Sequence, residues 1–237
     1  MRKFQAIFLK EITTYFVSPI AYVALAVFLA LSGFFFVNVL YYTHEASLRI
    51  LFGNMVITFL FITPLLTMRL FAEEKRIGTT ELLFTTPTRE VEVVLGKYFA
   101  SLFIVLLMLM VTLVYPICLM VYGDPDLGPI FSGYLGLLLV TASFLAVGIL
   151  ASSFTKNQIV AALISYCVLL IYWTLSWVSQ QVPQNLKPFF NNLSLKVHLS
   201  DFLKGIIDTQ HIIFYLTVIV FHLILCTAVL DSERWRE

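Results

Sequence analysis

Six long apolar runs without internal charge constrain this chain more than any other feature. They span residues 20–40, 51–68, 98–122, 132–153, 159–179 and 212–230, and none holds Asp, Glu, Lys or Arg in its interior. Each approaches or exceeds the roughly 20 residues that cross the hydrocarbon core of a bilayer. In lipid a spanning segment must satisfy its own backbone, so each run predicts a helix. Of the 237 residues, 60% are hydrophobic and 12% charged, about half the charge of an ordinary soluble domain. A domain of this size in water still needs a polar exterior, whereas one in lipid does not. The expected fold is all-α, a polytopic membrane protein with six transmembrane helices in one domain covering residues 1–237. Pro64 and Pro116 fall inside the second and third runs, where kinks are expected.

Lys and Arg set the orientation. With the N-terminus inside, one set of loops holds Arg2, Lys3, Lys10, Arg69, Lys75, Arg76, Arg89, Lys97, Lys156, Arg234 and Arg236, and the other only Arg49, Lys187, Lys196 and Lys204. Eleven against four is a positive-inside bias, and an even number of spans places both termini in the cytoplasm. The aromatic residues Tyr41, Tyr42, Tyr122, Trp173 and Trp177 are expected at the outer interface, Tyr98 and Trp235 at the inner one. The net charge of +1 gives no footprint for nucleic acid. Cys118, Cys167 and Cys226 sit in apolar runs without CxxC spacing and read as packed thiols. Nor do the first 16 residues form a secretory signal, since charged and apolar residues alternate there.

Three segments outside the spans carry information. In residues 1–19, Phe4, Ile7, Phe8, Ile12, Tyr15 and Phe16 recur at helical spacing, with Arg2, Lys3, Gln5, Lys10 and Glu11 off that face; Ser18-Pro19 follows. This predicts a helix lying in the inner interface. Residues 69–97 are the most polar stretch: the cluster Glu73, Glu74, Lys75 and Arg76, then Gly78, then a helix-compatible run over 80–86 closed by Pro87. Thr88 is the expected cap of the next helix, with Glu90 in its first turn and Glu92 a solvated residue beyond. Residues 180–211 form the longest outer loop, where Leu199, Phe202, Leu203, Ile206 and Ile207 predict an amphipathic helix on or dipping into the outer interface.

Several chemistries are absent. No GxxxxGK[ST] phosphate loop occurs, and Gly96-Lys97-Tyr98 lacks both its upstream glycine and its hydroxyl residue. Neither a GxSxG elbow nor an HExxH helix is present, so the chain is not expected to be an enzyme. Glu73-Glu74 lacks the arginine and most of the histidines that a glutamate-pair intramembrane protease needs. His222 is the one histidine within a span, where Asp, Glu, Lys and Arg are absent, and it is expected to bond a neighbouring helix. Ion-coupled transport usually employs intramembrane charge, so energy for transport must come from elsewhere.

The string over 68–101, MRLFAEEKRIGTTELLFTTPTREVEVVLGKYFAS, closely resembles the ABC type-2 transporter permeases, in particular the gliding-motility-associated and nitrous-oxide-reductase-maturation permeases. Glu74, Gly78, Thr79, Glu81, Leu82, Leu83, Pro87, Gly96 and Lys97 occupy their pattern of a charged E-x-x-x-G-T-x-E-L-L core, a proline step and a helix opening with G-K-Y. The resemblance implies the permease subunit of an exporter in a bacterial cytoplasmic membrane. It implies a coupling helix in the loop after the second span, carried by Glu74, Gly78, Thr79, Glu81, Leu82, Leu83 and Pro87, that docks on a separate ABC ATPase. The N-terminal helix would buttress that contact. No cofactor is expected in this chain, since ATP and magnesium would be bound by the partner ATPase. The other implied partners are a second permease copy, identical or different, membrane lipid and an accessory extracytoplasmic subunit. Ala26 and Ala30 on the first span and Ala142, Ala146, Gly148 and Ser152 on the fourth suit close helix packing. The alternatives are a membrane scaffold that transmits ATPase state without transport, and a secondary transporter or channel.

Overall fold

The computed structural model describes residues 2–43, 45–79 and 89–234. Among these the regular elements are helices: α1 (Arg2–Val17), α2 (Pro19–Thr43), α3 (Arg49–Thr67), α4 (Arg69–Ile77), α5 (Glu90–Thr112), α6 (Val114–Tyr122), α7 (Leu127–Ser153), α8 (Gln158–Gln181), α9 (Lys187–Leu193), α10 (Leu195–Phe202) and α11 (Thr209–Arg234). Among the described residues six stretches are long and apolar enough to cross a membrane: Pro19–Tyr42, Arg49–Ile77, Glu90–Tyr122, Leu127–Ser153, Gln158–Gln181 and Thr209–Ser232. Two of them outrun their apolar windows at the end of the bundle that bears α1. There α4 prolongs α3, and α5 begins at Glu90 rather than at Tyr98.

The centre of the bundle is α7, 78% of whose most apolar window is buried, with α3 next at 67%. Small residues make this possible by letting neighbouring helices come close. A Cβ on Gly148 would stand 2.1 Å from Thr67 Oγ1, and one on Gly136 would stand 2.7 Å from Phe202 Cβ. Ala142, Ala146 and Ser152 are buried on the same helix. On α2 the small inward residues are Ala21 and Ala24, with the Phe28 ring tilted against Phe59 at 4.4 Å, whereas Ala26 and Ala30 face outward. The outer faces are apolar as well, with Val23, Phe34, Met110, Ile171 and Phe221 exposed. Lipid, rather than water, suits such a surface.

Both proline sites mark a change of helix. The Pro116 ring cannot donate to the Thr112 carbonyl, and the helix is interrupted at Leu113 between α5 and α6. Tyr134 Oη on α7 donates to that freed carbonyl at 2.9 Å, so a neighbouring helix replaces the lost bond. Pro64 lies one turn before the break at Met68, where α3 gives way to α4.

At the opposite end the amphipathic segment expected over 180–211 is two short helices, not one running through Ile207. Helix α10 stops because Gly205 adopts φ 91°, with Gly205 N–H donating to Phe202 O at 3.2 Å and Ile206 N–H to Asp201 O at 3.0 Å. This is a Schellman stop, and it leaves Ile206 and Ile207 exposed. Tyr41, Tyr42, Tyr122 and Trp177 are exposed toward that end, but Tyr98 is buried and donates to Ala142 O at 3.3 Å, so it is a core residue. His222 bonds its own helix through Val218 O at 2.8 Å rather than a neighbour. Of the thiols, Cys226 is buried but Cys167 is exposed on the apolar outer surface.

Candidate functional site

At the α1 end three helices meet on one buried ammonium. Lys97, in the first half of α5 with its side chain 2% exposed, places Nζ 2.8 Å from Glu11 Oε1 on α1 and 3.0 Å from Glu74 Oε2 on α4. Its third contact is the Leu70 carbonyl at 2.7 Å. An ammonium has three donors, and here each has an acceptor. Lys10 of α1 bonds the other Glu74 oxygen at 3.0 Å, so two cations and two carboxylates balance. Burial works to lower the Lys10 pKa, but the Glu74 carboxylate outweighs it and holds the ammonium above its ordinary value. A buried ion pair of this kind is tolerable only with full hydrogen bonding, because desolvating the charges costs several kcal/mol per ion.

The local sequence explains the meeting. A Cβ at Gly96 would lie 2.8 Å from Ile7 Cγ2, so the glycine admits α1 against α5. Lys97 then bridges α1 to α4, and Tyr98 fastens α5 to α7 through the Ala142 carbonyl. The G-K-Y triplet is thus a helix junction. Phe4 and Phe8 extend the α1–α5 seam through edge contacts with Phe99 and Phe103, at 6.0 and 6.4 Å. This corrects the expected amphipathic face of α1. Glu11 lies inside the buried stripe with Tyr15, while Phe16 is 46% exposed. The carboxylate turns inward because the Lys97 ammonium waits there.

The elbow after α1 is tied down as well. The Tyr15 phenol, kept protonated by burial that raises its pKa, donates to Leu66 O at 2.9 Å. Arg69 stacks over the Tyr15 ring at 4.9 Å and donates to the Ser18 hydroxyl.

Helix α4 is fastened on its other side to α7. The first N–H groups of a helix have no partner within it. Here Ser152 Oγ accepts from Phe71 N at 2.9 Å and Ala72 N at 3.1 Å, and donates to Met68 O at 3.1 Å. Lys75 reaches the Ser153 carbonyl at the end of α7. The cluster 73–76, read from sequence as a solvated charge group, is therefore half internal: Lys75 is buried and Glu74 paired, while Arg76 is exposed. Both Glu74 carboxylate oxygens are engaged by lysines.

Of the residues singled out from sequence, Glu74 joins the ion network. Gly78 ends α4 in the left-handed conformation at φ 81°, donating to Glu74 O, and Thr79 Oγ1 donates to the same carbonyl at 3.3 Å. Glu81, Leu82, Leu83 and Pro87, with Thr88, lie outside the described residues. On the far side of that segment Arg89 occupies the cap position of α5. Glu92 Oε2 accepts from Arg89 N at 3.4 Å, so Glu92 is a capping residue rather than free surface. The network therefore clamps both helices that flank residues 80–88, α4 and α5, to α1 and to each other. Sequence reasoning missed Glu11 and Lys10 as its members. The available signal was a carboxylate at the centre of an otherwise apolar stripe, four residues before Tyr15.

No curated protein matches the chain. The family profile described as ABC-2 family transporter protein matches residues 9–229, a stretch that takes in all six candidate spans but the ends of the first and last helical elements. With six apolar helices and that match over most of its length, the chain belongs to the ABC-2 family of transporter membrane subunits.

Proposed function

We propose that this chain is the permease subunit of an ATP-driven exporter, and that residues 69–97 form the element through which a separate ABC ATPase drives it. Glu74, Gly78, Thr79, Glu81, Leu82, Leu83 and Pro87 carry the coupling, Glu74 by fixing α4 to Lys97 and Lys10 and the others toward the docking face, and the ATPase holds ATP and magnesium. The observation that supports the reading is the clamp. Both flanks of residues 80–88 are held to α1 by Lys97, Glu11, Glu74 and Lys10, and α4 is held to α7 by Ser152 and Lys75. A force applied at 80–88 then moves α1, α4 and α5 together and tilts the spans to which they are joined. A solvated loop with no such fastening would dissipate it.

In this reading the protein is a multi-pass component of a bacterial cytoplasmic membrane with both termini inside. Residues 1–19 lie in the inner interface, and residues 180–211 cover the outer end. The working assembly holds two permease chains, of one or two kinds, two ATPase chains and surrounding lipid. Two experiments test it. A cysteine at Asp126 or Lys187 should react with an impermeant thiol reagent outside intact cells, while one at Arg76 should not; the reverse pattern overturns the orientation. Purified alone the chain should hydrolyse no ATP, and with its ATPase it should form a two-plus-two complex that does. Failure of any ABC ATPase to co-purify in mild detergent contradicts the reading.

A further inference from the structure

A second polar cluster lies at the opposite end of the bundle and is not part of the clamp. His198 on α10 and His211 at the start of α11 place their Nδ1 atoms 2.7 Å apart. His198 Nε2 lies 3.1 Å from the Asn192 carbonyl at the end of α9, and His211 Nε2 lies 3.0 Å from Asp201 Oδ2. The His198 ring is stacked on Phe214 at 3.8 Å and is 4% exposed.

Counting protons fixes the state of the pair. A backbone carbonyl only accepts, so His198 Nε2 carries a hydrogen. The Asp201 carboxylate also only accepts: its Oδ1 takes a bond from Lys204 at 2.8 Å, and this with the His211 contact holds its pKa below the ordinary carboxylate value. His211 Nε2 therefore carries a hydrogen too. The 2.7 Å contact needs one more, shared between the two Nδ1 atoms. Three protons on two rings make one imidazolium and one neutral imidazole. With two protons, lone pairs would face each other; with four, two N–H groups would collide.

We infer that His198 and His211 share a single proton and form a pH-sensitive latch, which holds α9 and α10 against α11 within a window of pH and opens on either side of it. The surroundings suit such a device. The other fastenings of this cap do not titrate near neutral pH: Ser132 Oγ donates to Phe202 O at 2.6 Å, and the Tyr215 phenol donates to Leu195 O at 2.8 Å. Neither α7 nor α8 contains Asp, Glu, Lys, Arg or His. Lys196 is turned to Trp173 and Trp177 of α8, at 5.7 and 5.6 Å, and the facing charges are Asp201 and Lys204.

The direction of the acid limb follows from His198. Burial lowers its pKa, with the His211 charge adding to the effect. The unfolded chain therefore takes up that proton at a higher pH than the folded one, and stability falls as pH drops through the ordinary histidine range. On the alkaline side, loss of the shared proton removes the bond between the rings. The latch rests on the proposed orientation only for the side whose pH it reads, which the cysteine labelling decides separately.

The test uses the whole chain in nanodiscs with ¹⁵N-labelled histidine. Over an intermediate pH window the spectrum should show one proton shared between the Nδ1 atoms of His198 and His211, lost at both higher and lower pH. The thermal unfolding midpoint should peak in the same window. Asp201→Asn keeps both rings but removes the charge that stabilises the imidazolium, so the alkaline limb should move down by about one pH unit or more. Two rings titrating independently without a shared proton would overturn the inference. So would an Asp201→Asn profile superimposable on that of the wild type. If His198→Gln or His211→Gln fails to fold, the labelled wild-type chain still decides.

Discussion

Lys97→Ala is expected to destabilise the folded chain by about 3–5 kcal/mol, because it leaves two carboxylates, Glu11 and Glu74, without the ammonium that compensates their burial. The measurement is thermal unfolding of the purified protein in detergent. Lys10→Ala provides the contrast. Lys10 touches the same Glu74, but its side chain is 61% exposed, and an exposed pair contributes at most about 1 kcal/mol. Neutralising the network as a unit, with Glu11→Gln, Glu74→Gln and Lys97→Met together, should recover most of the loss, since no buried charge remains unpaired. Equal effects of Lys97→Ala and Lys10→Ala would contradict the description of Lys97 as the centre of the junction.

Glu81→Lys should have the second large effect, and of a different kind. As a docking residue Glu81 would pair with a basic group of the ATPase. Losing one partner of a desolvated interfacial charge pair costs roughly 2–5 kcal/mol, which is about 30-fold or more in affinity. Expression and thermal stability of the permease alone should be unchanged, while ATPase binding weakens and transport stops. Lys156, exposed on the other loop at the same end of the bundle, supplies the control, and Lys156→Glu should leave binding within about twofold. Normal binding by Glu81→Lys, or equal loss with Lys156→Glu, would remove the coupling assignment from residues 79–87.

The six spans were legible because lipid imposes one strong rule, and uncharged runs such as 132–153 obey it without help from tertiary context. The ends of helices were less so. Arg69 and Lys97 look like loop residues by composition, yet both lie on buried helix faces, because tertiary partners replace the water they lose: Ser18 and Tyr15 for one, Glu11 and Glu74 for the other. No single-sequence window contains that information, since Lys97 and Glu11 are 86 residues apart. Ala26 and Ala30 lie outside the chain's own core for a related reason. Spacing identifies a small-residue face but not which way the helix turns it, and in α2 Ala21 and Ala24 took the inward side. The stop of α10 was readable in principle from Gly205, whose φ of 91° is costly for other residues. The G-K-Y triplet was visible as a motif, and only the structure supplies its physical reason: a gap for Ile7, an ammonium for two carboxylates, and a phenol for α7.

The central claim is that α1, α4 and α5 move as one body under the control of the ATPase. Spin-label distances in the reconstituted permease–ATPase complex test it most directly. One pair of labels would join Thr13 on α1 to Val91 on α5, and a second would join Thr13 to Ile159 on α8, all exposed positions. On trapping the ATP-bound state, the first distance should stay constant while the second changes by several ångströms. A first distance that changes as much as the second, or a second that does not respond to nucleotide, would contradict the account.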